Sequence, residues 1–438
     1  MRAVIMAGGQ GTRLAALTKG EIPKAMFRLK DKPLAEWQID QLKRYGITDI
    51  TMVIGILGEK ITEYFGDGSA FGVRISYITE TEPLGTAGAF YYLGQMLSEA
   101  GEKEFLMLMG DIFFDFDISR MIAFHREKKA FATLVAHPNM HPQDSDLLIT
   151  DSDGRITGFD SKHNIRTYYF DNCVNAGIFL MNAEICNTVP EPKKTSLEKE
   201  VIAPLLTEKR IYAYRTPEFI RDVGTVDRVQ KTMEDLDNGI VAAKNLENRQ
   251  KAIFLDRDGT VNEFRGFIAN PDGLELIDGA AEAIRKINAS GYLAILITNQ
   301  PVIARGQITF AELDEIFRKM KTLLGREGAY LDDIYYCPHH PDKGFAGEIT
   351  ELKIECSCRK PKTGMIDAAA AKYNIDLSQS WMVGDMTMDI QCGANAGCHT
   401  CLVQTGKAGT DGKYDARPEI IEKDLLSFAN GLLRRREG

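Results

Sequence analysis

Residues 252–262 read AIFLDRDGTVN, and residues 3–14 read AVIMAGGQGTRL. Each stretch begins with a short apolar run, typical of a buried strand, and continues into a loop rich in glycine or aspartate. Further apolar runs follow both stretches and alternate with helical patterns, such as 34–45 and 310–325. This alternation predicts an α/β protein with two domains, each built on a parallel sheet flanked by helices.

The length agrees with this division. A chain of 438 residues is longer than one hydrophobic core ordinarily serves. The stretch 226–250 is polar and helix-prone, and we interpret it as the last helix of the first domain plus a linker. The predicted organisation is a first domain at 1–235, a linker at 236–249 and a second domain at 250–438.

The composition narrows the class of protein. A net charge of −9 argues against a nucleic-acid partner, because nucleic-acid-binding domains usually carry a basic surface. The sequence contains no stretch near the ~18 apolar residues of a membrane span, and its start lacks the apolar run of a signal peptide. We therefore expect a cytoplasmic protein that acts on small molecules and does not bind membranes. The sequence leaves its oligomeric state open.

The glycine-rich loop of the first domain is suited to bind phosphate. Gly8, Gly9 and Gly11 let the backbone approach a ligand closely, and the start of the following helix offers N–H groups. Arg13 in the loop and Lys24 shortly after it add positive charge. A tight strand-to-helix turn and an ordinary surface lysine remain the alternative interpretations.

Residues 1–235 resemble the sugar-1-phosphate nucleotidyltransferases. Five motifs follow in that family's order: AGGQGTRL with PK (7–14, 23–24), EPLGTAG (82–88), GD (110–111), NAGIF (175–179) and RDVGT (221–225). The resemblance implies a Rossmann-like domain in which a sugar 1-phosphate oxygen attacks the α-phosphorus of a nucleoside triphosphate and releases pyrophosphate. Charge builds up on phosphate oxygens in such a reaction, so fixed cations and N–H donors stabilise it.

The resemblance also implies residue roles. The glycine loop with Thr12 would bind the triphosphate, while Arg13 and Lys24 supply positive charge beside Mg²⁺. GTP is the expected nucleotide, because ETEPLGTAG (80–88) resembles the guanylyltransferase members. The sequence around Lys162, DSKHN, departs from the usual pattern. The other implied roles are Gly85 and Thr86 near the nucleoside, Asp111 and Asp222 on Mg²⁺, Asn175 on the sugar and Lys162 on the sugar phosphate.

The second domain has two carboxylates directly after its first strand. Asp256 can attack phosphorus, and Asp258 can act as acid and base. An EF-hand calcium loop is the alternative, but the glutamate of its twelfth position is missing.

Residues 250–405 resemble the haloacid dehalogenase superfamily, with motifs DRDGT, ITNQ (297–300), CRKP (358–361) and VGDMTMD (383–389) in order. The resemblance implies a Rossmann-like phosphatase domain with no large cap. Its implied residues are Asp256 as nucleophile, Asp258 as acid and base, Thr298 on the phosphate, Lys360 as the neutralising cation, Asp256, Asp258 and Asp385 on Mg²⁺ with Asp389 in support, and Asn299, Arg305 and Arg359 on the substrate.

A thiol-rich loop, CPHHPDKGFAGEITELKIECSCRKP (337–361), lies between two of these motifs. A disulfide is disfavoured in a reducing compartment. Three thiolates and an imidazole suit tetrahedral Zn²⁺, with His340 as an alternative ligand. The loop resembles the zinc loop of heptose-bisphosphate and histidinol-phosphate phosphatases, which implies a structural zinc. The implied ligands are Cys337, His339, Cys356 and Cys358.

The pairing of the two domains suggests successive reactions. A sugar bisphosphate would lose its distal phosphate at the second domain, and the remaining 1-phosphate would receive a nucleotidyl group at the first. The phosphatase resemblance points to D-glycero-D-manno-heptose 1,7-bisphosphate, although NQPVIARG (299–306) replaces the usual NQSGIARG of heptose relatives. The alternatives are a hexose phosphate, another nucleoside triphosphate, a histidinol-phosphatase-like second domain, or a protein without catalysis.

Overall fold

A computed structural model describes residues 1–9, 20–344 and 346–434 of the chain. Gly11, Thr12 and Arg13 therefore lie outside the described residues. The chain divides into two units, and each is described by itself. The first unit consists of Met1–His137, Asp146–Ser161 and Cys173–Asn245, and the second of Pro138–Ser145, Lys162–Asn172 and Leu246–Gly438.

The first unit is built on a sheet of nine described strands in the order β10-β9-β11-β6-β1-β4-β5, with β8 pairing with both β11 and β12. Two short antiparallel pairs, β13-β7 and β2-β3, lie outside it. The strands of this unit are β1 (Arg2–Met6), β2 (Arg28–Leu29), β3 (Lys32–Pro33), β4 (Asp49–Ile54), β5 (Arg74–Thr79), β6 (Glu104–Met109), β7 (Ile112–Asp115), β8 (Ala132–His137), β9 (Leu147–Thr150), β10 (Ile156–Asp160), β11 (Val174–Asn182), β12 (Ile211–Arg215) and β13 (Phe219–Asp222).

Helices cover both faces of this sheet. The α-helices of the first unit are α1 (Leu34–Arg44), α2 (Gly58–Phe65), α3 (Phe90–Ala100), α4 (Ile118–Glu127), α5 (Ala203–Leu205), α6 (Val226–Asp237) and α7 (Ile240–Ala243). Side chains of β1 alternate between the faces, as a strand requires. Ala3 and Ile5 enter one apolar cluster and Val4 the other. The central strand is thus buried on both sides, as expected for a parallel sheet.

The second unit has a six-stranded parallel sheet in the order β16-β15-β14-β17-β18-β19. Its strands are β14 (Lys251–Leu255), β15 (Tyr292–Asn299), β16 (Asp333–Cys337), β17 (Trp381–Gly384), β18 (His399–Val403) and β19 (Ile420–Glu422). Its α-helices are α8 (Ala280–Ala289), α9 (Phe310–Arg326), α10 (Gly364–Tyr373), α11 (Thr387–Ala396) and α12 (Leu425–Arg434). The predicted α/β class is confirmed, and the sheet of this second unit is wholly parallel. The sheet of the first unit is mixed, because β11 runs antiparallel to β6, β8 and β9, and β10 runs antiparallel to β9.

The first strand of this second sheet is also buried on both faces. Ile253 and Leu255 enter one apolar cluster, and Ala252 and Phe254 enter the other. Complete burial on both faces fixes the strand in register and leaves its carboxyl end, where Asp256 begins, at the edge of the packed core.

Two segments that interrupt the sequence of the first unit pack within the second. The backbone N–H of Phe170 donates to Thr322 Oγ1 at 2.9 Å, and this buried hydroxyl donates to the carbonyl of Phe170 at 3.2 Å. Lys321 pairs with Asp171 at 2.7 Å. Helix α9 therefore fixes Phe170 and Asp171, near the C-terminal end of the segment Lys162–Asn172.

None of the described helices is both long and apolar enough to cross a membrane.

Candidate active sites

The candidate site of the second unit forms where three neighbouring parallel strands end. Asp256 follows β14, Thr298 is the penultimate residue of β15, and Asp385 follows β17. These strands are adjacent in the order β15-β14-β17. The carboxyl ends of parallel strands meet at one edge of a sheet, where α/β proteins bind ligands. The three sequence-predicted residues are therefore brought to one place by topology.

A buried lysine connects the carboxylates of this site. Lys360 Nζ lies 2.7 Å from Asp256 Oδ1 and 2.6 Å from Asp389 Oδ1, and it donates to the carbonyl of Ile297 at 3.1 Å. Asp389 is buried in the first turn of α11, where it accepts the backbone N–H of Met386. The ammonium is thereby held between a strand end and a helix start.

Burial and like charge determine the electrostatics of the site. Burial, together with Asp389 and Asp258 and against Lys360, raises the pKa of Asp256 to about 7. Burial, together with Asp256 and Asp389, raises the pKa of Asp385 to about 8. Burial disfavours the charged form of Lys360, but the two carboxylates outweigh it and raise the pKa of its ammonium. One ammonium therefore faces three carboxylates, which leaves the group short of positive charge.

A divalent cation fits this deficit. Ligand atoms of Asp256, Asp385 and Asp389 lie within 4.8 Å of one another. Asp385 Oδ1 is buried without a hydrogen-bond donor among the residues that the structure describes. A buried acceptor without a partner is costly, and hard cations prefer oxygen ligands. The three carboxylates can thus hold Mg²⁺ or a similar ion.

The loop after β18 fixes Asp385. The backbone N–H of Lys407 donates to Asp385 Oδ2 at 2.6 Å, and that of Gly409 donates to the Asp385 carbonyl at 2.8 Å. Gly259 and Gly406 pack against the same carboxylate with φ of +85° and +60°. A Cβ at these positions would lie 2.4 Å and 2.2 Å from Asp385 Oδ2. Only glycine allows two loops to enclose the carboxylate this closely.

Asp258, which the sequence interpretation assigned to Mg²⁺ as well as to acid–base catalysis, is not in the three-carboxylate group. Its oxygens accept hydrogen bonds from Arg257, Asn262 and Gln300. Its carboxylate is therefore occupied by side-chain donors, and its metal role stays a prediction.

The thiol-rich loop brings its four candidate ligands together. Donor atoms of Cys337, His339, Cys356 and Cys358 lie within 4.8 Å of one another. The three Sγ atoms are 3.2–3.5 Å apart, and His339 Nδ1 lies 3.4 Å from Cys358 Sγ. A disulfide would need about 2.05 Å, and a tetrahedron of bonds of about 2.3 Å has edges somewhat below 4 Å. The group therefore has the donor set and spacing of a closed metal site.

This loop and the carboxylate group are joined through Asn299. Its amide accepts the backbone N–H of Lys360 at 3.0 Å and donates to the Lys360 carbonyl at 3.3 Å. Arg359, one residue earlier, donates to the carbonyl of His339 at 3.2 Å. Arg305 places its guanidinium 4.3 Å from the ring centre of Phe267. Asn299 thus has a structural role, and its substrate-binding role stays a prediction.

The first unit has a second charged group at the end of β6 and β13. Asp111 pairs with Lys24, and Asp222 pairs with Arg228 on α6. The backbone N–H of Val223 donates to the Asp111 carbonyl at 2.9 Å, which keeps the two segments adjacent. Burial would raise the pKa of Asp222, but Arg228, the N–H of Gly224 and Lys24 outweigh it and hold the pKa below its usual range. Both aspartates are thus placed beside cations, and the backbone N–H of Gly110 donates at 3.0 Å to the carbonyl of Met6, the last residue of β1.

Of the other predicted residues, Gly85 and Thr86 lie in the loop between β5 and α3, and Asn175 is the second residue of β11. Gly85 has φ of +78°, and a Cβ there would lie 2.6 Å from the Thr195 carbonyl. The Thr86 hydroxyl accepts the backbone N–H of Leu197 at 2.8 Å. Asn175 donates to Glu198 at 3.3 Å, and burial raises the pKa of that glutamate. Gly8 and Gly9 follow β1 directly, whereas Lys162 belongs to a segment of the second unit.

Sequence reasoning missed several of these residues. Arg228 follows the RDVGT motif on the next helix, and a cation placed shortly after an aspartate that is predicted to bind a metal was a usable signal. The donors to Asp258 carried no comparable signal, because glutamine and asparagine occur in many loops. The position of Arg257 between the two aspartates gave no sign that its guanidinium donates to Asp258.

Comparison with known proteins assigns the two parts of the chain to two families. The family model described as nucleotidyl transferase matches residues 2–239, and the HAD-hydrolase-like model matches residues 357–428. The D-glycero-beta-D-manno-heptose-1,7-bisphosphate 7-phosphatase of Pasteurella multocida is 44% identical over 188 residues, which are 42% of this chain and 98% of that relative. The chain belongs to the nucleotidyl transferase family and, in its C-terminal half, to the HAD-like phosphatases. Both family predictions are confirmed.

Two solved structures are similar to separate parts of this nucleotidyl transferase–phosphatase chain. The D,D-heptose 1,7-bisphosphate phosphatase of B. bronchiseptica, complexed with magnesium and phosphate, has 37% identity and a TM-score of 0.38, and covers 42% of this chain and 99% of its own. HddC of Yersinia pseudotuberculosis has 22% identity and a TM-score of 0.47, and covers 54% of this chain and 99% of its own.

Cation binding to the three-carboxylate group should depend on pH. The raised pKa values of Asp256, about 7, and Asp385, about 8, mean that both carboxyls hold protons at pH 6. A cation must displace these protons, so Mg²⁺ affinity should rise by up to about tenfold per pH unit for each proton displaced while the pH lies below these pKa values, and it should level off above about pH 8. Isothermal calorimetry in buffers of different ionisation enthalpy measures both the affinity and the proton release.

The Asp385→Asn variant provides the baseline for this titration, because it leaves the charged group of the first unit intact. The pH-dependent component should be present in the unchanged chain and absent in the variant. Equal Mg²⁺ affinity at pH 6 and pH 9 would contradict the electrostatic account.

Proposed function

We propose that the chain removes the 7-phosphate from D-glycero-D-manno-heptose 1,7-bisphosphate and then transfers GMP from GTP to the heptose 1-phosphate. The products are phosphate, pyrophosphate and GDP-heptose. One observation carries the proposal: a nucleotidyl transferase domain shares a chain with a region 44% identical to nearly the whole of a heptose-bisphosphate 7-phosphatase. We propose a cytoplasmic location, because GTP and sugar phosphates are found in the cytoplasm.

The phosphatase step uses the residues at the ends of β14, β15 and β17. The Asp256 carboxylate attacks phosphorus, the bond to the sugar oxygen breaks, and Asp258 protonates that oxygen. Water then attacks the phosphoaspartate, Asp258 takes its proton, and phosphate leaves. Lys360 neutralises part of the phosphate charge, and Thr298 binds the phosphate. Mg²⁺ held by Asp256, Asp385 and Asp389 would supply further neutralisation.

The transferase step uses the charged group of the first unit. An oxygen of the sugar 1-phosphate attacks the α-phosphorus of GTP, and pyrophosphate leaves with the electron pair of the broken bond. The nucleophile is already ionised, so charge stabilisation rather than proton transfer limits the step. Lys24 provides positive charge, and Asp111 and Asp222 are the ligands that would hold Mg²⁺. Asn175 and Lys162 are proposed for the sugar and its phosphate, Gly85 and Thr86 for the nucleoside, and the glycine loop for the triphosphate.

The order of the two steps follows from their chemistry. The transferase needs a phosphate on the anomeric carbon, so a phosphatase that removed this group would destroy the acceptor. Removal of the distal phosphate preserves the acceptor. The phosphatase product is thus the transferase substrate, which gives one chain a reason to carry both domains.

We further propose that the group of Cys337, His339, Cys356 and Cys358 holds a structural Zn²⁺. Three thiolates and one imidazole leave no position open for water, which separates such a site from a catalytic one. Cys358 precedes Arg359 and Lys360 directly, so a metal here would fix the backbone that places the Lys360 ammonium.

A separation of the two activities tests the proposed function. Asp256→Asn removes the nucleophile but keeps its size, so phosphate release from the bisphosphate should fall below about a thousandth of the original rate. Guanylyl transfer to supplied heptose 1-phosphate should stay within about twofold. Phosphate and pyrophosphate release are measured in parallel with coupled assays.

Asp111→Asn is the matched control, because it should abolish pyrophosphate release and leave phosphate release unchanged. Loss of both activities in either variant, with unchanged melting temperature, would contradict two independent sites.

The zinc proposal has its own test. Reduced, purified protein should contain about one zinc per chain, and Cys356→Ser should lower both the zinc content and the melting temperature. Phosphate release with saturating Mg²⁺ should fall with the zinc content, while pyrophosphate release persists. Cys398→Ser, a buried thiol outside the group, should retain zinc. Full phosphatase activity in zinc-free protein would refute the proposed role.

A further inference from the structure

Gln300 lies between two residues of the phosphatase site, Asp258 and Thr298, and has no role in the reaction proposed above. It follows β15 directly and is buried, with 2% of its surface exposed. Its backbone N–H donates to the carbonyl of Cys337 at 2.8 Å. The residue is thus anchored to the strand end that begins the thiol-rich loop, and its side chain points among buried polar groups.

The side-chain amide of Gln300 donates twice. Nε2 lies 2.8 Å from Thr298 Oγ1 and 3.2 Å from Asp258 Oδ2. The amide nitrogen thus faces both Asp258 and Thr298. The two N–H bonds of one NH₂ group are then directed to the acid–base residue and to the phosphate-binding hydroxyl.

The remaining donors to Asp258 come from its own loop. Arg257 donates through Nε to Oδ2 at 3.1 Å and through Nη2 to Oδ1 at 2.9 Å, and Asn262 donates to Oδ1 at 3.0 Å. Arg257 and Asn262 move with the loop that carries Asp258. Gln300 instead reaches Asp258 from the end of the neighbouring strand β15. It therefore fixes the position of Asp258 relative to Thr298.

The contact with Thr298 affects the second partner. Because the Thr298 oxygen accepts a hydrogen bond from Gln300, its own hydroxyl proton remains available for another acceptor. A phosphate oxygen at the carboxyl end of β15 is such an acceptor. Gln300 therefore favours the hydroxyl orientation that binds phosphate.

We propose that Gln300 is a positioning residue for the phosphatase reaction: it holds the Asp258 carboxylate at a fixed place relative to the phosphate bound by Thr298. The inference rests on the proposed phosphatase function and extends it. When Asp256 attacks phosphorus, the electron pair of the breaking bond moves to the leaving oxygen. A sugar oxygen must receive the Asp258 proton, whereas a nitrophenolate leaves without one.

The dependence on the leaving group therefore identifies the role of Gln300. Gln300→Met keeps the size but removes both donors. We expect kcat/KM for glycerol 2-phosphate to fall by about 10–100-fold, a part of the 10²–10⁴-fold typical of general acid catalysis. For p-nitrophenyl phosphate the fall should be at least about tenfold smaller. Because kcat/KM covers only the steps through departure of the leaving group, later hydrolysis of the phosphoaspartate does not enter.

The ratio of the two kcat/KM values is the decisive readout. Partial misfolding lowers both values equally and leaves the ratio unchanged, and both probes are independent of which sugar is the natural substrate. Thr298→Val should lower both values to a similar degree, since both substrates share the phosphate. Gln404→Met, the same exchange at an exposed glutamine of this unit, should change neither.

Gln300→Glu provides a second variant in case the methionine is not tolerated. It keeps the shape but sets a carboxylate against Asp258, so the ratio should shift in the same direction and further. Equal losses on both substrates in the two variants, or unchanged activity in Gln300→Glu, would overturn the proposal and reduce Gln300 to a structural residue. A failure of the heptose assignment would leave these ratios unaffected.

Discussion

The buried ammonium of Lys360 is the constraint on which the phosphatase half depends. It is nearly inaccessible to water and contacts Asp256 and Asp389 at 2.7 Å and 2.6 Å. Removing these charges from water is costly unless they are paired and hydrogen-bonded. The surrounding elements satisfy this requirement, because Asn299 fixes the Lys360 backbone and the first turn of α11 fixes Asp389. The carboxylates still outnumber the ammonium, and the excess negative charge can bind a divalent cation.

The charged group of the first unit solves the same problem with less burial. Lys24 and Arg228 each face one aspartate, and the aspartates remain partly exposed. A nucleotidyl transfer brings its own charged triphosphate into the site, so a more open group is adequate. Both halves thus place fixed cations beside carboxylates, in a partly exposed site in the first unit and in a buried site in the second.

Much of this arrangement was predictable from the sequence. The apolar run before Asp256 and the runs before Asp111 and Asp385 predict buried parallel strands, and parallel strands bring their carboxyl ends together. The close grouping of the four thiol-loop ligands was expected on other grounds, from their donor types and from the resemblance to the zinc loop of heptose-bisphosphate and histidinol-phosphate phosphatases. Residues whose role depends on side-chain direction were not predictable. The sequence does not reveal that Asp258 turns toward Arg257 and Gln300, because this depends on how two loops meet, whereas the support of Asp389 for Asp256 and Asp385 was implied by the family resemblance. The packing of Phe170 on α9 is equally hidden, since it depends on contacts far apart in the chain.

The central claim is that one chain carries out two reactions in a fixed order on one sugar. Phosphorus NMR of the intact protein with heptose 1,7-bisphosphate, GTP and Mg²⁺ follows every phosphorus atom in one sample. If the reactions occur in this order, orthophosphate and heptose 1-phosphate appear first. Pyrophosphate and GDP-heptose that carries no 7-phosphate then follow in equal amounts. A nucleotide sugar that still carries the distal phosphate, or pyrophosphate released before orthophosphate, would contradict it.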